Sequence, residues 1–221
     1  MSKGYLDLLG GGSDEDERVA KNTGPIQAAW ASPIGSMLYD NAQALSRRLI
    51  AAWQTPLEWL NIPPGGIALD VGSGPGNVTA SLARAAGPDG LALGIDISEA
   101  MLARAVRNEG GPHVGFIKAD AQRLPLRDDT VDAVISTAVL QLVPDPAAAL
   151  AEMARVLRPG GRLAVMVPTV GPAARLFQRL PNMGAHVFDD DEIADILEDR
   201  GFVSVRVKNL GTVQWVRGKN G

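Results

Sequence analysis

The chain contains no cysteine, and aromatic residues make up only 5% of its 221 positions. Disulfides, thiolate nucleophiles and cysteine metal ligands are therefore excluded, and a reducing, cytoplasmic location is the simple expectation. There is no long apolar run. Every hydrophobic segment is interrupted by glycine, proline or charge before reaching the roughly 18 to 20 residues of a membrane span. Met1 to Gly12 also lacks a basic start followed by an apolar stretch, so no signal peptide is expected. Charge of one sign is not in excess: the net charge is −4 and the calculated pI about 5.2. With no long basic run, binding to nucleic acid or to an anionic membrane is not expected. Arg47-Arg48 falls in an amphipathic stretch and reads as a solvated face. Histidine occurs only twice, and no metal site is expected. What is present is an apolar fraction of 46% in a length suited to one domain with a substantial core.

The most informative segment is Ala68-Leu69-Asp70-Val71-Gly72-Ser73-Gly74-Pro75-Gly76-Asn77. A hydrophobic strand runs into a glycine-rich turn, and a helix follows. Gly72, Gly74 and Gly76 permit positive φ and a close approach of backbone to a ligand, beside the unpaired N–H groups of a helix start. A dinucleotide fingerprint reads G-x-G-x-x-G, whereas here the third position of that pattern is Asn77. Asp70, just before the loop, would repel a diphosphate and tolerate an amino group or a sulfonium. About twenty residues on, the strand Leu91 to Asp96 ends in a carboxylate at the interval where such folds place a ribose-binding acid. Helix capping around Ser98-Glu99 is its alternative role. A third strand, Phe116-Ile117-Lys118-Ala119-Asp120-Ala121, ends in an acid as well, and Leu124-Pro125 and Asp128 to Ser136 follow it.

These segments resemble the class I S-adenosylmethionine-dependent methyltransferases, with the methyltransferase type 11 domain and the small-molecule enzymes of ubiquinone and menaquinone biosynthesis as the nearest pattern. Leu157-Arg158-Pro159-Gly160-Gly161 matches that family's junction between a helix and strand five. The resemblance covers roughly residues 60 to 220. It implies that the backbone of Gly72, Ser73, Gly74 and Gly76, with Asp70, lines the methionine end of S-adenosylmethionine. It implies also that Asp96, with Ile97 and Met101, holds the ribose side, that Asp120 and Ala121 meet the adenine, and that Thr137 borders the site. Where the family often carries histidine after strand four, this chain has Gln141. The Asn/Asp-Pro-Pro-Tyr/Phe element of amino-methylating DNA enzymes is replaced by Ser136-Thr137-Ala138-Val139.

Alternating apolar strands (67–71, 91–96, 113–118, 131–136, 162–168) and helices (76–86, 98–109, 146–157) imply a parallel α/β sheet. A helix at 190–200, a strand from Phe202 to Val207 and a second run from Thr212 to Arg217 predict a terminal antiparallel hairpin. The resemblance then implies a Rossmann-like, seven-stranded sheet of order 3-2-1-4-5-7-6 with helices on both faces. Pro159-Gly160-Gly161 reads as a helix stop and a sharp entry to the next strand. Residues 1–24, rich in glycine and acid, read as a flexible arm. Residues 25–66 read as a helical lid, in which Trp30 and Tyr39 are candidates to cover the cofactor, and 67–221 as the cofactor-binding domain. His113 lies at the far end of its strand and reads as structural, while His186 is the candidate general base.

The expected function is methyl transfer from S-adenosylmethionine, which leaves S-adenosylhomocysteine, to an oxygen, carbon or nitrogen of a small organic acceptor. In-line displacement at a sulfonium depends mainly on alignment and water exclusion. A macromolecular methyltransferase acting on RNA or protein, a cofactor-binding protein without turnover, and a homodimer remain open. A nicotinamide-dependent oxidoreductase is disfavoured by Asp70 and by Asn77.

Overall fold

The computed structural model describes residues 3–9, 56–169, 186–211 and 213–221. Its strands are β1 (Leu6–Asp7), β2 (Ile67–Val71), β3 (Leu91–Asp96), β4 (Val114–Lys118), β5 (Val131–Thr137), β6 (Leu157–Pro168), β7 (Phe202–Leu210) and β8 (Val213–Asn220). The helices are α1 (Leu57–Leu60), α2 (Asn77–Ala86), α3 (Glu99–Glu109), α4 (Pro146–Val156) and α5 (Glu192–Asp199). All eight strands form one sheet in the order β1-β4-β3-β2-β5-β6-β8-β7. Strands β1 to β6 pair in parallel, and β8 runs antiparallel to both β6 and β7. The expected α/β architecture and terminal hairpin are present, but among the described residues the sheet has eight strands rather than seven. The eighth is Leu6–Asp7, from the segment read as a flexible arm. Its composition is polar and glycine-rich as a whole, yet Tyr5 within it is buried.

Strand alternation assigns the two faces. Ala68, Ala133, Ile135, Ala164 and Met166 face one core with Leu60 of α1 and Leu82 and Ala83 of α2. Leu69, Val71, Val134, Leu163, Val165 and Val167 face the other, against Leu150, Met153 and Val156 of α4 and Ile193 and Leu197 of α5. Being covered on both faces explains why the parallel strands read as nearly continuous apolar runs. Local chemistry sets the helix starts. Ser98 caps α3 by accepting from the Met101 amide, and Asp145 caps α4 by accepting from the Ala148 amide at 2.9 Å, with Pro146 in the first turn.

Helix α4 ends at Val156, so Pro159-Gly160-Gly161 does not terminate it as expected. The three residues lie inside β6, where the register against β5 jumps from Val131↔Leu157 to Ala133↔Arg162. Gly160 has φ +81, and a Cβ on Gly161 would stand 2.9 Å from the Asp132 carbonyl oxygen. The motif is a bulge that lets β6 continue past β5. Beside it, the Asp132 carboxylate accepts from the Ile67 amide at 2.8 Å and from Arg158 Nη1 at 2.7 Å, joining β2, β5 and β6 at the end of the sheet where β2 begins. Between β4 and β5, Arg155 of α4 donates to the carbonyls of Leu124 and Leu126 and pairs with Glu152 and Asp128. The loop following Asp120 is thereby clamped to the helix.

Candidate functional site

Going from β2 to β3 the chain moves one way across the sheet, and from β4 to β5 it crosses back to the other side of β2. Such a reversal opens a crevice at the carboxyl ends of the strands, and the glycine loop sits there. The amides of Gly72 and Ser73 both donate to the Ile95 carbonyl, at 2.7 and 2.9 Å. Gly72 has φ +76, and a Cβ there would lie 2.1 Å from Val139 Cγ2. A Cβ on Gly76, at φ +87, would lie 2.8 Å from Phe116 Cζ and 3.0 Å from Ala105 Cβ. These two glycines are required by protein packing as well as by turn geometry, beyond the close ligand approach inferred from their spacing.

The three acids at the strand ends are held differently. Asp96 accepts from the Gly74 amide through one oxygen and from the Ser98 amide through the other, each at 2.8 Å. It therefore ties the glycine loop to the start of α3, so both the loop and capping roles converge on it. Burial pushes its pKa above the usual carboxylate value, while the amides of Ser98 and Gly74 pull it back. Asp70 is only 2% exposed and accepts from the Thr79 hydroxyl at 2.6 Å. Helix α2 has Gly76 at its N-cap with no side-chain cap, and Asp70 supplies an acceptor to its first turn from the strand below. Burial raises the Asp70 pKa to about 7; the Thr79 hydrogen bond opposes the shift, and the Asp96 charge adds to it. Asp120 accepts from the amide of Gln122, at 2.9 Å, and from its side-chain nitrogen. Gln122 in turn accepts from the Asp145 amide at 3.1 Å, linking the end of β4 to the start of α4. Neither Thr79 nor Gln122 is singled out by the sequence pattern. A hydroxyl nine residues after an acid, or an Asp-x-Gln, carries no recognisable spacing signal.

Ser73 Oγ, Thr137 Oγ1 and Gln141 Oε1 are buried without a hydrogen-bond partner among the described residues. Ser73 follows β2, and Thr137 ends the adjacent β5, beside Val71 and Ser136, which pair across the two strands. Gln141 lies in the 3₁₀ turn Leu140–Leu142 just beyond. Unpaired buried polar atoms are costly, and these three stand close in sequence to the carboxyl ends of β2 and β5, where a polar ligand would relieve that cost. Ile97 directly follows β3, Ala121 stands three residues past β4, and Met101 is buried in the first turn of α3.

His186 sits across from this region. Its amide donates to the Gln141 carbonyl at 2.7 Å, its Nε2 lies 2.8 Å from Glu192 Oε1, and its ring packs edge-on to Phe188 with centroids 4.5 Å apart. His113, at the opposite end of β4, contacts the Gly90 carbonyl, as a structural role predicts. Trp30 and Tyr39 lie outside the described residues, as does the expected lid up to residue 55. Among the described residues no cluster of three or more potential metal ligands occurs, and no helix is long and apolar enough to cross a membrane.

Comparison with known proteins agrees with this geometry. Residues 69–165 match the family described as a methyltransferase domain (Methyltransf_11). A demethylmenaquinone methyltransferase from Roseiflexus castenholzii is 39% identical over 107 residues, covering 48% of this chain and 44% of that protein. A 2-phytyl-1,4-naphtoquinone methyltransferase from Thermosynechococcus vestitus is 37% identical over 123 residues, covering 54% and 55% respectively. The chain spans about half the length of these curated relatives. Among solved structures, a SAM-dependent methyltransferase from Aquifex aeolicus superimposes with a TM-score of 0.61 at 28% identity, over 75% of this chain and 88% of that one. The acid-tethered glycine loop, the matched family model and these similarities converge: residues 69–165 match a methyltransferase domain and are similar to S-adenosylmethionine-dependent methyltransferases.

Proposed function

We propose that the whole chain is an S-adenosylmethionine-dependent methyltransferase whose acceptor is a small organic molecule of the quinone-precursor kind. The observation that carries the cofactor half is the bond from the Gly74 amide to Asp96, which builds loop and ribose acid into one unit beside three orphaned polar atoms. The acceptor half is supported by the relatives, which are named as demethylmenaquinone and 2-phytyl-1,4-naphtoquinone methyltransferases.

In this reading the bound cofactor supplies a methyl group activated on a sulfonium. The backbone of Gly72 to Gly76 and the hydroxyls of Ser73 and Thr137 hold its amino-acid end. Asp96, with Ile97 and Met101, receives the ribose, while Asp120 and Ala121 border the adenine. Asp70 and Asp96 place two carboxylates under the loop, a poor setting for a diphosphate. Gln141 stands where a histidine would offer a base, so His186 is the candidate left for proton removal, its ring held by Glu192 and Phe188. Alignment of acceptor and methyl group carries most of the rate. Tyr39 is a proposed contact of the cofactor. A cytoplasmic setting fits the cysteine-free composition.

Calorimetry tests the cofactor half directly: S-adenosylhomocysteine should give saturable heat and NADH none. Binding of NADH without S-adenosylhomocysteine would remove the assignment. Turnover of labelled S-adenosylmethionine with demethylated naphthoquinols, read by product mass, tests the acceptor half.

A further inference from the structure

Residues 3–8 reach the back of the proposed cofactor site by three routes. In the first, β1 pairs in parallel with the end of β4, Leu6↔Ile117 and Asp7↔Lys118, and the Leu8 amide donates to the Lys118 carbonyl at 3.0 Å. The strand end that continues into Asp120 is thereby held from its open edge. The second route is apolar. Tyr5, 5% exposed, packs in a separate cluster with Leu102 and Ala105 of α3 and Phe116 of β4. The Phe116 ring and Ala105 are the atoms that a Cβ on Gly76 would strike, and a Cβ on Gly94 would meet Phe116 and Ser73 at 2.8 Å. Tyr5 therefore presses on the layer that directly backs the glycine loop. The third route is electrostatic. Lys3 pairs with Glu99, while Lys118 lies 3.1 Å from Asp7 and 3.6 Å from Glu99. Glu99 follows Ser98, whose amide holds Asp96. The low Glu99 pKa, about 2, follows first from its hydrogen bond with Lys3. Gly4, at φ +75, lies so near α3 that a Cβ would stand 2.5 Å from Val106 Cγ1.

We propose that residues 3–8 form a clasp, with Tyr5 as its positioning residue, that holds the adenosyl half of the cofactor site in its binding geometry. The inference rests on the cofactor reading above. The edge pairing is two residues long and Leu6 and Leu8 are exposed, so docking rests on Tyr5 and the ion pairs. These contacts converge on the elements carrying Gly76, Asp96 and Asp120. Linkage requires that if docking favours cofactor binding, binding favours docking to the same degree.

Two measurements on the full chain test this. In wild type, saturating S-adenosylhomocysteine should slow hydrogen exchange of the Leu6 to Leu8 amides severalfold. Calorimetry should show Tyr5→Ala binding S-adenosylhomocysteine about tenfold more weakly and Tyr5→Phe within about twofold of wild type, because the ring carries the contact. Wild type that binds S-adenosylhomocysteine without altered exchange at Leu6 to Leu8 overturns the clasp, as does a Tyr5→Ala protein of unchanged affinity. Wild type that gives no binding heat overturns the cofactor reading beneath it. The exchange measurement stands without any variant, so a Tyr5→Ala chain that fails to fold does not blunt the test.

Discussion

Asp96 carries two loads at the residue scale. Its oxygens receive the Gly74 and Ser98 amides, and their remaining lone pairs are available to a ribose diol. Asp96→Ala should weaken S-adenosylhomocysteine binding by roughly ten- to a hundredfold, given about 1.5–3 kcal/mol for each hydrogen bond to a charged group. Calorimetry on a normally folded variant checks it, and unchanged affinity would leave Asp96 a capping residue only. Asp70 yields a pH dependence. Its folded pKa is raised from 3.8 to about 7 by burial. Between those values the folded state keeps a proton that the unfolded chain has released, so this group's contribution to stability falls as pH rises through that window. The full shift corresponds to an upper figure of about 4 kcal/mol. Asp70→Asn removes the titration, and its denaturation midpoint, measured without ligand, should gain on wild type from pH 4 to pH 8. A constant difference across that range would contradict the assignment.

Among the elements, the glycine loop and the segment after β5 behave as one part, because Val139 fills the space a side chain at position 72 would need. Gly72→Ala combines a strained positive φ with overpacking and should cost about 2–4 kcal/mol. Gly72→Ala combined with Val139→Ala should recover part of that loss in a double-mutant cycle by chemical denaturation. Additive losses would show that the two sites do not touch. The same contact shows what was legible beforehand. Glycines at 72, 74 and 76 and acids at 96 and 120 announce themselves through spacing along one chain. Val139 and Phe116 are ordinary apolar residues whose importance arises only when β5 and β4 lie beside the loop. The helix stop read into Pro159-Gly160-Gly161 failed for a related reason. Its residues do favour breaking a helix, but α4 had already ended at Val156, and pairing with β5 turned the turn-formers into a bulge. The Leu6–Asp7 strand was hidden by averaging, since one buried tyrosine cannot outweigh a neighbouring run of glycine and acid.

On the scale of the molecule, the sheet has two unlike ends. At the carboxyl end of β2 lie the glycines, the orphaned polar atoms and the raised carboxylates; at its amino end one carboxylate, Asp132, gathers Ile67 and Arg158. Asp132→Ala leaves the Ile67 amide and the Arg158 guanidinium without that acceptor and should cost about 2–3 kcal/mol. Affinity for S-adenosylhomocysteine, measured well below the unfolding midpoint, should stay within about twofold of wild type. A large loss of affinity would mean that the two ends are mechanically coupled.

The Asp132 junction also bears on how freely this scaffold can change. Because one short side chain staples three strands together at the end of the sheet away from the glycine loop, exposed loop residues above the opposite rim can be exchanged for others without touching what registers the sheet. A library that randomises only the exposed residues after β5 and before α5, leaving Asp132, Arg158, the bulge, Val139 and the buried Leu140, Val143 and Phe188 intact, should therefore yield mostly folded members, with new acceptor preferences drawn from a frame that remains in register.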